Sequence, residues 1–354
     1  MNSLATDIQR GREPAPHVGI NDHTTLRHRL KPLRRFLEDT AVTEIAVNRP
    51  GEVWTESNAG WVRHDCAEMD YQACERLGIA AAAYIKDDWS ETQPIISATL
   101  PDGERAQFVM PQACEKGTIA ITIRKPSMHI RSMSEYADSG FFKHVRTETQ
   151  ALMQHEQDLL DLKAAHRYEE FICKAIEHGK VIVFAGETGS GKTTFMKTAC
   201  QLIPPKNRVV TIEDVPEVGL PNHPNRVHLF YPSNAGGSSP VTSQLLLKSC
   251  LRMKPDRILL TELRGPETYD FINVCASGHE GSITSCHAGT SDTTFERLVL
   301  MSMQNPQGRV LPYDVLLRLL YMTVDVVVCM TNKPPHGRHI TELWYDPMKK
   351  RLQR

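Results

Sequence analysis

Apolar positions in this chain follow two rhythms, and the change between them divides it. Leu26, Leu30, Leu33 and Leu37, with Phe36, form a helical stripe in which Pro32 predicts a break or a late start. Short alternating runs at 43–48, 53–56 and 61–64 then read as strands, separated by turn-rich Asn48-Arg-Pro-Gly51 and Asn58-Ala-Gly60. A helix is predicted over 71–86, and two more strands over 104–109 and 119–124. Together these predict a compact α+β domain ending near residue 130. Residues 131–165 are rich in Ser, Glu, Gln and His, with few apolar anchors before a weak helix over 149–164, and read as an interdomain linker.

Beyond the linker the rhythm changes. A helix over 168–178 leads into apolar runs at 181–185, 208–213, 227–231, 257–261, 282–286 and 324–330, each followed by helical sequence. That alternation predicts a mostly parallel, doubly wound α/β sheet. The loops 216–225 and 232–240 are rich in Gly, Pro, Ser and Asn and are expected to move. The expected organisation is a flexible arm (1–23), an α+β domain (24–130), a linker (131–165) and an α/β domain (166–354).

Composition narrows the classes. With 40% hydrophobic and 23% charged residues the chain is an ordinary globular one, and its net charge of -1 argues against tight nucleic-acid binding. Nine cysteines without a C-x-x-C pair suggest reduced thiols in a cytosolic protein. The polar first residues lack a signal-peptide core, and the greasiest stretch, 315–330, carries Arg318 and Asp325, too polar for a membrane span. Arg27, Arg29, Lys31, Arg34 and Arg35 form either a solvated helix face or a contact for acidic lipid at a membrane surface.

The chemistry concentrates in Val181-Ile-Val-Phe-Ala-Gly-Glu-Thr-Gly-Ser-Gly-Lys-Thr-Thr194. A β-branched run ending in G-x-x-x-x-G-K-T before a helix is the context of a phosphate-binding P-loop. Gly186, Glu187, Thr188, Gly189, Ser190, Gly191, Lys192, Thr193 and Thr194 are the candidate nucleotide-binding residues. Glycines let backbone N–H groups curl around an anion, the helix dipole points at it, Lys192 neutralises the β/γ-phosphates and the Thr193 hydroxyl reaches Mg2+. ATP and Mg2+ are therefore the expected cofactors.

In such a sheet ligands sit at the carboxyl ends of the strands. There the sequence offers Glu213, Asp214 and Glu217, then Glu262 and Arg264, then His287. Glu262 is the candidate general base that orients the attacking water, while Glu213 and Asp214 are candidates for magnesium, directly or through water. His287 is the candidate donor to the γ-phosphate, completing a catalytic set of Glu262, Lys192 and His287. Zinc ligation by Cys286, His287 and His279 is not favoured, because no second ligand pair exists.

These boxes in this order resemble the type II/IV secretion-system ATPases. The P-loop is followed by an acidic box (Thr211-Ile-Glu-Asp-Val-Pro-Glu217), a Walker B-like stretch (Pro255-Asp-Arg-Ile-Leu-Leu-Thr-Glu-Leu-Arg264) and a histidine box (Ser277 to Ala288). Glu44-Ile-Ala-Val-Asn-Arg-Pro-Gly-Glu-Val-Trp54, Leu100-Pro-Asp-Gly-Glu-Arg105 and Ile121-Thr-Ile-Arg-Lys-Pro-Ser127 are similar to the N-terminal domain of the type IV branch. The resemblance implies a RecA-like P-loop domain behind a smaller α+β domain, and a homohexameric motor hydrolysing ATP at the cytoplasmic face of the inner membrane. It implies that N-terminal Arg105 and Arg124 reach the nucleotide phosphates and that Arg264 serves the ring interface. Partners implied are inner-membrane components of a type IV secretion system and a coupling protein or secretion substrate, moved as DNA–protein complexes or effectors. A nucleotide-gated docking platform, a pilus assembly or retraction motor and a DNA translocase are the competing readings. Thr261 stands where the family has glycine before the glutamate, and Glu280 where proline is common.

Overall fold

The structure, a computed structural model, describes residues 20–127, 130–145, 151–232 and 240–353. Most of the expected arm, residues 146–150 of the linker and residues 233–239 of the second loop lie outside the described residues. Helices α1 (Ile20–Arg29) and α2 (Arg34–Glu38) flank a 3-10 turn at Lys31–Leu33, so Pro32 does interrupt the stripe. Leu26, Leu30, Leu33 and Phe36 are buried, which makes the stripe core.

Strands β1 (Glu44–Val47), β2 (Glu52–Ser57) and β3 (Gly60–Asp65) precede α3 (Tyr71–Ile85), whose N-cap Asp70 accepts from the Ala73 amide at 2.7 Å. Strands β4 (Ile95–Thr99), β5 (Arg105–Val109) and β6 (Ala120–Arg124) complete an antiparallel sheet in the order β3-β2-β1-β6-β5-β4. The hydrophobic pattern does not single out β4, an edge strand in which buried Ile96 and Ala98 alternate with exposed Ser97 and Thr99.

The segment 131–165 contains two helices, α4 (Met133–Asp138) and α5 (Gln154–Ala164). Leu159 and Leu162 of α5 sit in one core with Phe171 of α6 (Tyr168–Glu177), so the second half of the expected linker packs on the α/β domain. The sheet of that domain then forms from β7 (Ile182–Gly186), β8 (Val209–Glu213), β9 (Arg226–Phe230), β10 (Arg257–Leu260), β11 (Ile283–Cys286), β12 (Val326–Lys333) and β13 (Gly337–Tyr345). Its helices are α7 (Lys192–Cys200), α8 (Ser243–Cys250), α9 (Glu267–Ala276), α10 (Ser291–Ser302), α11 (Tyr313–Thr323) and α12 (Pro347–Leu352).

The strand order is β13-β12-β7-β11-β10-β8-β9, parallel throughout except for the antiparallel β12–β13 pair. Alternation along β7 serves both faces: Val181, Val183 and Ala185 join one core, Ile182 and Phe184 the other. This is the expected α/β architecture, with β13 as an added edge strand.

The two domains are joined by buried polar groups. Arg208, just before β8, is fully buried. Its Nη1 donates to Asn48 Oδ1 and Asn225 Oδ1, both at 2.6 Å, its Nη2 to Thr122 Oγ1 at 3.2 Å and its Nε to the Met253 carbonyl at 2.9 Å. The guanidinium also lies 5.2 Å from the Trp61 ring centroid. Asn48, Thr122 and Trp61 belong to the first domain, the others to the second. Burial pushes the Arg208 pKa down to about 10, with Asp256 opposing the shift, and the group stays charged at neutral pH. Nearby, the Phe230 amide donates to Ala113 and the Glu115 amide to His228, so first-domain backbone covers the open edge of β9.

Truncating this arginine orphans several buried acceptors and leaves a hole. Arg208→Ala is expected to lower stability by about 3 kcal/mol, read as a shift of the urea midpoint. A midpoint equal to wild type would show that the two domains are held by other contacts.

Candidate nucleotide site

Strand β7 is buried along its whole length and ends in the loop that turns into α7. Gly189 and Gly191 adopt φ of 80° and 93°, the region that favours glycine. Gly186 is fixed by crowding instead: a Cβ there would lie 2.4 Å from the Met330 carbonyl oxygen. Lys192 opens α7 and is buried, its Nζ donating to the Gly186 carbonyl at 2.7 Å and the Glu187 carbonyl at 3.1 Å. Burial lowers its pKa, against the pull of Glu262. A cationic amine thus rests on the loop's own carbonyls and can exchange them for an anion.

The carboxyl edge of the sheet gathers the other candidates. Glu262, after β10, lies with its Oε2 2.6 Å from Arg264 Nη2 and its Oε1 2.9 Å from His287 Nε2, the latter an approach without hydrogen-bond alignment. Arg264 Nη1 also bonds Asp214 Oδ2 at 2.8 Å. The Glu262 hydrogen bond, foremost, raises the Arg264 pKa further. Glu267 Oε1 accepts from the amides of Arg264 and Gly265, at 2.7 and 2.9 Å, and so fixes the turn that presents them. Asp214, Glu262, Arg264 and His287 therefore form one chain of close polar approaches beside the P-loop.

Glu213 stands apart from that chain. It is buried, and its carboxylate accepts from Thr211 Oγ1 (2.5 Å), His228 Nδ1 (3.2 Å) and the amides of Glu217 and Val218 (both 2.8 Å). Burial pushes its pKa up, but the bonds from His228, Thr211 and the two amides outweigh it and hold the group below the usual carboxylate range. His228 is a partner that the sequence reading did not single out. Glu217 faces Lys197 at 3.3 Å.

Arg105 and Arg124 lie away from the loop within this chain. They pair across β5 and β6 and share a pocket of about 300 Å3 with Leu251 and Arg252, which precede β10. Strands β7, β11, β10 and β8 run parallel, so residues before β10 lie at the amino edge and the P-loop at the carboxyl edge. Within one chain the two arginines are thus on the far side of the sheet from the nucleotide loop. His279 is likewise separated from His287 by the length of β11, and among the described residues no cluster of three or more His, Cys, Asp or Glu could hold a metal ion.

Thr261 is accommodated without strain. Its amide and hydroxyl both donate to the Ile212 carbonyl, at 3.1 and 3.3 Å, and its own carbonyl accepts from Ser285 Oγ at 2.7 Å. The side chain therefore ties β10 to β8 just ahead of Glu262.

The type II/IV secretion system protein family model matches residues 27–329. The type IV secretion system protein VirB11 of Brucella abortus is 56% identical over 338 residues, covering 94% of this chain and 93% of that protein. PtlH, a type IV secretion system protein of Bordetella pertussis, is 41% identical over 320 residues, covering 89% and 94%. The crystal structure of the VirB11 ATPase of Brucella suis in complex with sulphate superposes with a TM-score of 0.89 at 54% identity, over 94% of this chain and 98% of that one.

Because Thr261, one residue past β10, is not among the positive-φ positions that favour glycine, Thr261→Gly is expected to leave Mg-dependent ATP turnover within about threefold of wild type, the loss being only of local backbone order. A larger change in the phosphate-release rate would mean that the hydroxyl bond to Ile212 positions Glu262.

Proposed function

The chain belongs to the type II/IV secretion system protein family as an ATPase that drives type IV secretion, and from that membership we propose how its residues divide the work. The P-loop amides and Lys192 hold the polyphosphate. Lys192 Nζ exchanges its bonds to the Gly186 and Glu187 carbonyls for β/γ-phosphate oxygens. Glu262, held between Arg264 and His287, orients the attacking water as general base, and His287 contacts the γ-phosphate.

Magnesium, when bound, neutralises charge developing on the phosphates. Thr193 fits as a protein ligand, since its position in the first turn of α7 sets it beside the loop and, among the described residues, its hydroxyl has no hydrogen bond. Glu213 does not fit as a direct ligand, because four donors already saturate it. Asp214, engaged on one oxygen by Arg264, fits through water.

The observation that carries the assembly is the separation of Arg105 and Arg124 from this chain's own loop. If they serve phosphates, they serve those of a neighbouring copy, and a closed homohexameric ring supplies such a neighbour at every site. Arg264, half-exposed beside Glu262, then meets the adjoining subunit. The reading includes contact with inner-membrane components of a type IV secretion system and with a coupling protein or secretion substrate. Its proposed station is the cytoplasmic face of that membrane; among the described residues no helix is long and apolar enough to cross a bilayer. Attachment through acidic lipid is left with Arg29 and Lys31, whose side chains have no partner among the described residues, since Arg27 pairs with Asp102, Arg34 pairs with Glu38 and Arg35 lies over the Phe36 ring.

Purified protein should release phosphate from ATP only with Mg2+. Lys192→Ala should lose ATP binding, while Glu262→Gln should keep it and lose about a hundredfold or more in turnover. Native mass measurement with a non-hydrolysable analogue should give six copies. Mixing Lys192→Ala with Arg124→Gln chains should restore activity, because mixed interfaces pair an intact loop with an intact arginine. No recovery on mixing, with both variants assembled, would sink the shared site; full turnover by Glu262→Gln would remove the base.

A further inference from the structure

The family match ends at residue 329, and the hairpin β12–β13 begins to pass the sheet's carboxyl edge just after it. Met330 is in register with Gly186 of β7, so Thr331, Asn332 and Lys333 run level with the P-loop crest. Four side chains of the hairpin reach the loop. Thr331 Oγ1 donates to Glu187 Oε1 at 2.8 Å, and Lys333 Nζ lies 3.8 Å from Glu187 Oε2. Asn332 Nδ2 and Arg338 Nε both donate to the Gly189 carbonyl, at 3.4 and 3.2 Å.

Charge separates the two cations. Lys333 faces the Glu187 carboxylate, whose pKa is held down first by the Thr331 hydroxyl and also by Lys333. Arg338 has no acidic partner among the described residues, and its Nη groups keep free donors. Its stem also crosses the loop, since a Cβ on Gly191 would meet Arg338 Cδ at 3.2 Å. The arginine therefore lies across Gly189 and Gly191, the two positive-φ glycines that let the loop's N–H groups wrap an anion.

We infer that Arg338 is a phosphate ligand of this chain's own nucleotide. Nε stays on the Gly189 carbonyl while the planar Nη pair donates to β- or γ-phosphate oxygens, a geometry for which guanidinium is suited and ammonium is not. The assignment rests on the nucleotide reading of the P-loop. It gives the site a cation from the same chain, in addition to Lys192 and separate from arginines of a neighbour.

The test uses the full chain and titration calorimetry with MgATP and MgADP. Arg338→Gln should weaken both by about ten- to a hundredfold, the scale of hydrogen bonds to charged groups, without lowering the thermal midpoint. Arg338→Lys should recover only part of that loss. Asn332→Ala, which removes the companion contact to the same carbonyl, should shift affinity by less than about threefold, one neutral bond at a solvent-exposed position. Affinity unchanged in Arg338→Gln would overturn the inference. So would an equal loss in Asn332→Ala, which would make the hairpin a latch on loop shape. Failure of the wild-type chain itself to bind ATP would overturn the nucleotide reading, and this inference with it.

Discussion

A buried guanidinium sets the geometry of everything else in this chain. Arg208 draws its side-chain acceptors from both domains, and among the described residues no carboxylate hydrogen-bonds the guanidinium itself, Asp256 accepting only from the backbone amide at 2.7 Å. Moving it away from those oxygens without water to replace them is costly, so the first domain is fixed on the β9 side of the sheet. The core agrees: Val109, Ala113, Cys114 and Ala120 of the first domain share one apolar cluster with β8, β9 and α8. An opening clamp between the domains of a single chain would have to break this junction on every cycle. Relative movement between neighbouring chains avoids that cost, which is why the placement of Arg105 and Arg124 bears on mechanism.

The resting site is filled by its own groups. Lys192 lies on the loop carbonyls, Glu262 is held by Arg264, and Asp214 shares the same arginine. Lys192, Glu262 and Asp214 thus each have a substitute partner that binding must displace. Such exchange keeps charge solvated in the empty state and makes the catalytic arrangement conditional on a ligand. Arg264 is the hinge of that exchange. As long as it bonds both Asp214 and Glu262, the carboxylate proposed as the base is tied at one oxygen, and only displacement of the arginine would release it.

Local chemistry was legible in the sequence and distant pairing was not. The P-loop, the acidic box and Glu262–Arg264 are contiguous motifs, and their order along parallel strands brings Asp214, Glu262 and His287 to one edge. The mostly parallel sheet followed from the alternation of apolar runs and helices. Arg208 carries no such mark: its partners Asn48 and Thr122 lie 160 and 86 residues away, and a lone arginine before a strand reads as solvent-facing. Strand β13 was missed because Gly337–Tyr345 alternates charged and apolar residues on a half-exposed edge. Glu213 was read as metal-facing from its position after β8, whereas its neighbours Thr211 and His228 and two amides turn it inward.

The chain's last residues reach both edges of the sheet, which limits what the linker can do. At the carboxyl edge, β12–β13 touches the P-loop through Glu187 and Gly189. At the amino edge, buried Arg351 of α12 bonds Glu156 of α5, Lys180 lies 3.7 Å from the same carboxylate, and Lys350 bonds Asp325 at 2.7 Å. Glu156 stays ionised despite burial, because the Met153 amide and the Arg351 and Lys180 charges together outweigh desolvation. Helix α5 is therefore fastened to the α/β domain at both its apolar face and its buried carboxylate. What remains free to redirect the chain between the domains is the stretch before it, where Ile130, Met133 and Phe141 are exposed to solvent. Exposed apolar side chains on a connecting segment lose free energy in water and gain it against another surface. The covalent path between the two domains thus runs through the stretch least satisfied by the chain's own contacts, while the buried Arg208 junction is what holds the domains against each other.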